Sequence, residues 1–205
     1  MIGLLFWSAA ALWSSGATAA PGAAPCAITG ESLDADVSGL RVRKGPSVAS
    51  PVLGRLYPGM DPHVLFHDDN PTLAEGLVGA QFTIDRVAGD WLHITDIDPF
   101  TDGLGPNGEL EPKANFGGSG WVHASKVRLL PLGAGVVRQE PHPRAAPVPP
   151  AILSDTYHAR IVGCRGSWAR IRSHKGEGAG WLESQSNKAR AALLRSSIQA
   201  RAKKP

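Results

Sequence analysis

The chain has 205 residues and a formal net charge of +3, and this length leaves room for one or two small domains. The charge is uneven, because residues 187–205 carry six lysines and arginines and no acid, so the sequence before them is slightly acidic. Such a basic tail can touch anionic surfaces, although a solvated, frayed terminus is the commoner role.

The first thirty residues contain no charged side chain and no histidine. An apolar run from Ile2 to Trp13 is followed by small residues that end in Ala17-Thr-Ala19, which is typical of a signal peptide over residues 1–19. The alternative is an uncleaved anchor, but about twelve apolar residues are too few to span a ~30 Å hydrocarbon core. We therefore expect a periplasmic or secreted protein with no stable membrane span after signal removal. Export also separates the protein from nucleic acid, so no nucleic-acid partner is expected.

Two cysteines remain after removal of the leader, Cys26 and Cys164. In an oxidising compartment a solitary pair predicts one disulfide. It would close a loop of well over a hundred residues, for which the chain-entropy estimate is at most about 5 kcal/mol. The alternative is that Cys164 is a buried thiol and Cys26 lies in a loose tail.

The predicted elements begin with an N-terminal arm over residues 20–37. Leu40-Arg-Val-Arg43 alternates apolar and polar residues and predicts a half-buried strand. Lys44-Gly-Pro46 predicts a turn, since proline cannot continue a ladder. Pro51 to Leu56 is the next short strand, and an insertion follows at residues 61–80.

The segment from Phe82 to Thr95 predicts a hairpin about Gly89-Asp90. A second insertion, rich in Gly, Asp and Pro, covers residues 96–119 and is expected to decorate a loop. Trp121 to Leu129 completes the unit, with a tight or 3₁₀ turn about residues 124–126.

A shorter second copy of these signals follows the first. The aligned elements are Val137-Arg138 with Val42-Arg43, Pro141 with Pro46, Gly166-x-Trp168 with Gly89-x-Trp91, and Gly180-Trp181 with Gly120-Trp121. We call residues 38–131 the first repeat and residues 132–186 the second, degenerate repeat. Proline-rich residues 140–150 are expected to be extended, and Ser186-Asn187 can cap a short C-terminal helix.

The motifs Leu40-x-Val-Arg43-x-Gly-Pro46, Gly89-x-Trp91-x-x-Ile94 and Gly120-Trp121-Val-x-x-Ser125 together resemble the bacterial SH3-like (SH3b) domain. This family has a small barrel of five to seven strands and occurs in exported and cell-wall-associated proteins. The resemblance covers most of residues 38–130. It implies an all-β fold of two small SH3-like β-barrels in tandem, and a general role in recognising peptidoglycan, peptides or protein partners.

Four aromatic residues of the first repeat are candidate ligand-binding residues. Strand alternation puts His93 on the side of Trp91, and His123 on the side of Trp121. If the two strands pair, the four side chains form one aromatic patch, a typical ligand platform. The alternative is that at least one of the two tryptophans in each repeat closes the barrel core. The presence of both tryptophans in both repeats favours this alternative, because a degenerate copy would lose a ligand site before it lost its fold.

A second candidate site lies on the first long loop. Arg43 and Lys44, with Tyr57 nearby, predict a groove in which cations and an aromatic ring hold the carboxylates of an acidic peptide. The alternative is an ordinary solvated loop.

Neither a cofactor nor a metal is predicted. Asp98, Asp102 and Glu109 match a calcium loop only in part, and the acids and histidines of residues 63–69 have an unspecific spacing. Cys164 with His174 is the one nucleophile–base pair to consider, for a cysteine-type cell-wall hydrolase, but this cysteine precedes a hairpin turn rather than opening a helix. The sequence therefore predicts a non-catalytic module that binds peptidoglycan or an envelope protein. A structural or inhibitory protein–protein interaction subunit is the alternative.

Overall fold

The computed structural model describes residues 25–34, 36, 38–60, 77–104, 110–130, 135–149, 159–173 and 178–184. In these ranges the chain forms strands joined by turns and one 3₁₀ turn, Ala124–Lys126, which confirms the all-β class and that predicted turn. The strands are β1 Ile28–Ser32, β2 Leu40–Arg43, β3 Val52–Leu56, β4 Gly59–Met60, β5 Leu77–Val78, β6 Gln81–Ala88, β7 Trp91–Thr95, β8 Phe100–Leu104, β9 Leu110–Ala114, β10 Gly120–His123, β11 Val127–Leu129, β12 Arg160–Arg165, β13 Trp168–Arg172 and β14 Ala179–Glu183. The predicted signal peptide, basic tail and C-terminal helix lie outside the described residues.

Two main sheets organise the fold. Seven strands pair antiparallel in the order β11-β1-β6-β7-β10-β2-β3, and three form the sheet β12-β13-β14. Two small ribbons, β4-β5 and β8-β9, complete the described structure. Within those ranges, no helix has the length and apolar character needed to cross a membrane.

The core lies on one face of the seven-stranded sheet. Leu92, Ile94 and Val122 are fully buried, whereas Trp91 and Trp121, which alternate with them, are half-buried on the opposite face. Each fully buried aliphatic side chain contributes about 1.5–3 kcal/mol relative to an exposed one. The alternation in β7 and β10 therefore fixes which face of the sheet meets solvent.

The predicted N-terminal arm supplies a central strand instead of a connecting segment. β1 lies between β6 and β11 and is buried at all five positions. Its Glu31, 2% exposed, accepts hydrogen bonds from Arg128 Nε at 2.8 Å and from the Gly79 N–H at 2.7 Å. Because this polar residue is paired inside the protein, β1 shows no alternation of apolar and polar residues that would have predicted it.

The second insertion forms an ordered hairpin where a loop was expected. β8 pairs with β9, and Phe116, just beyond β9, donates its N–H to the Arg55 carbonyl of edge strand β3 at 3.0 Å. A side chain at Gly54 would clash with the Phe116 ring, so the insertion packs closely on β3. Of the first insertion, residues 61–76 lie outside the described residues, while its flanks pair as β4 and β5.

The second repeat is joined to the N-terminal arm by a disulfide and to the first repeat through a common core. The predicted disulfide Cys26–Cys164 is confirmed and links β12 to the segment before β1, with a sequence separation of 138 residues. Buried Ser184 accepts a hydrogen bond from the Thr29 N–H at 2.9 Å and donates to Leu130 O at 3.0 Å. Apolar residues of both main sheets belong to one hydrophobic cluster.

The first long loop recurs in the second repeat with the same contacts. Arg43 Nη1 donates to Ser50 O at 2.8 Å, and Arg138 Nη1 donates to Ala145 O at 2.7 Å. In each repeat the next residue donates its N–H across the loop, Lys44 to Pro51 O and Gln139 to Ala146 O, both at 2.9 Å. The proline-rich segment is thus a turn closed by an arginine side chain.

Two glycines also occupy equivalent positions. A Cβ at Gly120 would lie 2.7 Å from both Arg43 O and Val42 Cγ1, and a Cβ at Gly180 would lie 2.4 Å from Val137 Cγ1. In both repeats, the strand that carries the Gly-Trp motif lies too close to its neighbour to admit a side chain at the position before the tryptophan. A glycine therefore precedes the tryptophan in each repeat.

Candidate functional site

The candidate site lies on the solvent-facing side of strands β7, β10 and β2. Trp121 stands opposite His93 on β7 and opposite Arg43 on β2, and His123 stands opposite Trp91. Residues directly opposite each other across antiparallel strands point to the same face. Strands β7 and β10 therefore pair, as the predicted aromatic patch requires.

The four aromatic side chains form two edge-to-face pairs. The ring centroids of Trp91 and His123 are 5.3 Å apart with an interplanar angle of 88°, and those of His93 and Trp121 are 5.1 Å apart at 66°. The expectation that one of these tryptophans fills the core is wrong for the first repeat, because aliphatic residues of β7 and β10 already occupy that face. In the second repeat Trp168 is buried.

The pair of His93 and Trp121 contacts two charged residues of β6. His93 Nδ1 lies 2.6 Å from an Asp85 carboxylate oxygen, and the Arg86 guanidinium lies 5.7 Å from the Trp121 ring centroid. Arg86 Nη2 is also 3.1 Å from His93 Nδ1. Both aromatic side chains of this pair are therefore already engaged by neighbouring residues.

The neighbouring pair, Trp91 and His123, lines a solvent-open groove with a cavity volume of about 260 Å³. The groove combines aromatic and apolar surface with both signs of charge. Its lining residues that carry the chemistry are Trp91, His123, Val48, the cations Arg41, Arg43 and Lys126, and the acids Asp34 and Asp36.

The charges in the groove are partly paired. Lys126 Nζ lies 3.2 Å from Asp34 Oδ1. Hydrogen bonds from the Ser38 backbone N–H and then its hydroxyl lower the pKa of Asp36, with smaller contributions from Arg55 and Arg41, so this carboxylate is ionised at neutral pH. Arg41 has no hydrogen-bond or ion-pair partner within the described ranges, which leaves its guanidinium available to a ligand.

The predicted ligand-binding residues divide between the groove and its surroundings. Arg43, Trp91 and His123 line it, whereas His93 and Trp121 form the adjacent cluster described above. Lys44 is exposed on the loop and does not line the groove. Tyr57 does not line it either, because its backbone is held by the second insertion: its N–H donates to Asn115 Oδ1 at 2.8 Å.

The position of Arg43 has a structural explanation as well. One guanidinium nitrogen closes the 44–51 loop through Ser50 O, and the matching bond at Arg138 shows that the loop itself requires an arginine. Arg43 therefore shapes the groove, while the exposed Arg41 guanidinium has no hydrogen-bond or ion-pair partner among the described residues.

Sequence reasoning missed Arg41, Val48, Lys126 and the two acids. The alternation of Leu40-Arg-Val-Arg43 already places Arg41 on the solvent face with Arg43, so this residue could have been found. Lys126 and Asp34 meet only because β1 pairs with β11, a contact between residues 92 positions apart that no local pattern signals.

The structure bears on the other chemistries weighed from the sequence only through the residues that it describes. Cys164 is bonded to Cys26, so its sulfur is no free thiolate. His174, His63 and Glu109 lie outside the described residues. No group of three or more histidines, cysteines and acids with metal-binding geometry occurs among the residues that are described.

Comparisons of this chain with protein-family models, with curated proteins and with solved structures give no match.

Proposed function

We propose that this protein is an exported, non-catalytic binding protein that recognises a cell-envelope component, either peptidoglycan or an envelope protein, through the groove of the first repeat. The observation that carries the proposal is the position of Arg41, for which the described residues hold no hydrogen-bond or ion-pair partner. It lines the same groove as Trp91, His123 and Asp36, so that charged and aromatic groups converge there.

The groove suits a short peptide that carries both a carboxylate and an ammonium group. Arginine pairs with a carboxylate in bidentate fashion, and an ionised aspartate accepts hydrogen bonds from an ammonium group. The indole of Trp91 supplies apolar area for the stem between the two charges. Peptidoglycan stem peptides carry these groups, which makes peptidoglycan the first ligand to test.

Three further features support this proposal. The disulfide and the apolar leader sequence fit an oxidising compartment outside the cytoplasm. The engagement of Cys164 in that bond argues against the cysteine-hydrolase alternative. The recurrence of the arginine-closed loop and the Gly-Trp contact supports the interpretation of the chain as two copies of one SH3-like unit.

The test is co-sedimentation of the full mature chain with purified sacculi, with and without roughly 0.5 M salt. Salt at this level screens attraction between the basic tail and the wall. We expect salt-resistant pelleting of the natural protein and its loss in Arg41→Ala and Trp91→Ala. Arg144→Ala is the matched control, because Arg144 is exposed and its side chain lies away from the groove.

A supernatant that gains no soluble muropeptides during the incubation supports the non-catalytic part of the proposal. Release of muropeptides that persists in purified protein and stops in Cys164→Ala would contradict it. Pelleting that salt abolishes would show that the tail rather than the groove contacts the wall. Salt-resistant pelleting that Arg41→Ala leaves intact would show that a surface other than the groove binds the wall.

The alternative, a structural or inhibitory subunit that docks on one envelope protein, is favoured by a single observation. Val48, Val52 and Leu53 are 75%, 45% and 43% exposed on the loop and the edge strand β3 beside the groove. Exposed apolar residues on an edge strand are typical of contact with another chain. A partner that co-purifies through this edge, with no sacculus binding, would select this function.

A further inference from the structure

The solvent-facing side of the three-stranded sheet carries a second aromatic and cationic surface. Arg170 on β13 stands opposite Trp181 on β14, and Trp181 stands opposite Arg138. Arg172 lies two positions after Arg170 on the same strand. Its cross-strand neighbours are Arg160 on β12 and Ala179 on β14. The core-facing residues between them are buried, so these side chains share the outer face.

This surface differs from its equivalent in the first repeat in how its charges are satisfied. There Arg86 covers the Trp121 ring, whereas no guanidinium among the described residues lies over Trp181. Arg170 and Arg172 are exposed and have no hydrogen-bond or ion-pair partner in the described part of the chain. The one acid of this face, Glu183, stands at its far end opposite Trp168.

The arrangement of arginines is unfavourable for the sheet by itself. Arg160 and Arg172 are direct cross-strand partners, and like charges in that position destabilise a sheet. Asp90, from the β6–β7 turn, forms an ion pair with Arg160 and relieves one of them. For Arg170 and Arg172 the described residues supply no compensating acid, and an anionic ligand would relieve the repulsion between the arginines of this face.

We propose that this face, formed by Trp181, Arg170 and Arg172, is a second binding site and that its ligand is an anionic glycan. Sugar rings stack on the indole of Trp181, and their carboxylate or phosphate groups pair with the guanidinium groups of Arg170 and Arg172. The site is separate from the groove of the first repeat and does not depend on the function proposed for it.

The geometry favours a glycan over an extended peptide. A peptide that adds to a sheet needs a free strand edge, with pockets for alternate side chains. Here the aromatic ring and the cations lie on the flat face of the sheet, and the side of β14 away from β13 is already hydrogen-bonded at Trp181 to Arg138, at 2.8 and 2.7 Å. A planar ring flanked by charge donors suits stacked sugar units with regularly spaced anions.

The test measures binding of the full mature chain to soluble polymers by calorimetry. The probes are oligogalacturonate, which carries carboxylates, and phosphomannan, which carries phosphates. Poly-L-glutamate of matched charge is the anionic control without sugar rings, and dextran is the neutral sugar control. The basic tail is kept in every variant, so its contribution is constant.

We expect one of the two anionic glycans to bind at least about tenfold more tightly than polyglutamate and dextran. Trp181→Ala and the double variant Arg170→Gln/Arg172→Gln should each weaken that binding by about tenfold or more. Trp181→Tyr, which keeps an aromatic ring, should restore most of it, and the exposed Arg144→Gln should bind as the natural protein does. Which glycan responds identifies the anion.

Equal affinity for glycan and polyglutamate would overturn the proposal, as would an unchanged glycan affinity in the double arginine variant. The exposed arginines can be replaced without loss of the fold, so this second result does not depend on how well Trp181→Ala folds. The groove variant Arg41→Ala, measured in parallel, separates the two sites: the further inference fails if that variant alone removes glycan binding.

Discussion

The two repeats share their backbone contacts and differ in the side chains that face solvent. Both have an arginine that closes the first loop, a glycine under the second tryptophan and a valine beside that glycine. On the outer faces, His93 of the first repeat corresponds to Arg170 of the second, and His123 corresponds to Glu183. The residues that recur are those that the backbone geometry requires, and the residues that differ are those available to choose a ligand.

The comparison also shows where an aromatic residue has changed its role. Trp91 is half-buried and lines the groove, whereas its counterpart Trp168 is buried. A tryptophan at the same position of the repeat thus lines a groove in one copy and is buried in the other.

The largest expected effect comes from breaking the disulfide that joins the N-terminal arm to the second repeat. Replacement of Cys26 and Cys164 by serine should lower the free energy of unfolding by about 3–5 kcal/mol, because the disulfide closes a loop of 138 residues in the unfolded chain. Urea unfolding of the double variant measures this, and reduction of the natural protein is the control. An unchanged midpoint would show that the shared core alone holds the repeats together.

The two glycines test whether the equivalence of the repeats is energetic as well as geometric. Gly120→Ala and Gly180→Ala should each destabilise the protein by about 1–3 kcal/mol, since the new Cβ meets packed atoms of the neighbouring strand. Gly117→Ala is the control, because open space surrounds that position. A large effect at one glycine only would mean that the repeats do not share this constraint.

The loop arginines provide a smaller, matched pair. Arg43→Ala and Arg138→Ala each remove a part-buried hydrogen bond from a charged donor, which should cost about 1–2 kcal/mol at both sites. Thermal unfolding beside the exposed Arg144→Ala measures the difference. If Arg43→Ala leaves stability unchanged and affects binding alone, its role is in recognition and not in closing the loop.

The smallest expected effect concerns the protonation of Asp36 in the groove. The folded-state pKa of Asp36 is lowered, so its contribution to stability is present above its ordinary pKa of 3.8 and is lost as the pH falls through the folded value. Ser38→Ala removes the hydroxyl hydrogen bond and should raise the Asp36 pKa toward 3.8, as followed by carboxyl NMR titration. No change would assign the lowered pKa to the backbone N–H of residue 38 alone.

Local patterns predicted much of the fold and part of the site. The strands around Val42, the Gly89 hairpin, the turn at residues 124–126 and the disulfide each follow from alternation, turn residues or cysteine count. The sequence did not predict strand β1, because its polar residues are paired inside the protein. It did not predict the β8–β9 hairpin either, because the glycine, aspartate and proline content of this segment indicates a loop.

The groove depended on tertiary contacts that a single sequence does not reveal. Trp91 and Arg43 were found, but Asp34 and Lys126 come together only through the pairing of β1 with β11. Recurrence of the tryptophans in both repeats predicts that they are buried, which is wrong for Trp91. Its alternation with Leu92 and Ile94 predicts the solvent-facing position that the structure shows.

The most direct test of the central claim, that the groove of the first repeat is the ligand site, is an NMR titration of the isotopically labelled mature chain with soluble muropeptides. The four tryptophans outside the leader give four separate indole signals. We expect shifts of the Trp91 indole and of the Arg41 and His123 amides. Shifts confined to the second repeat, or no shift of Trp91 at saturating ligand, would contradict it.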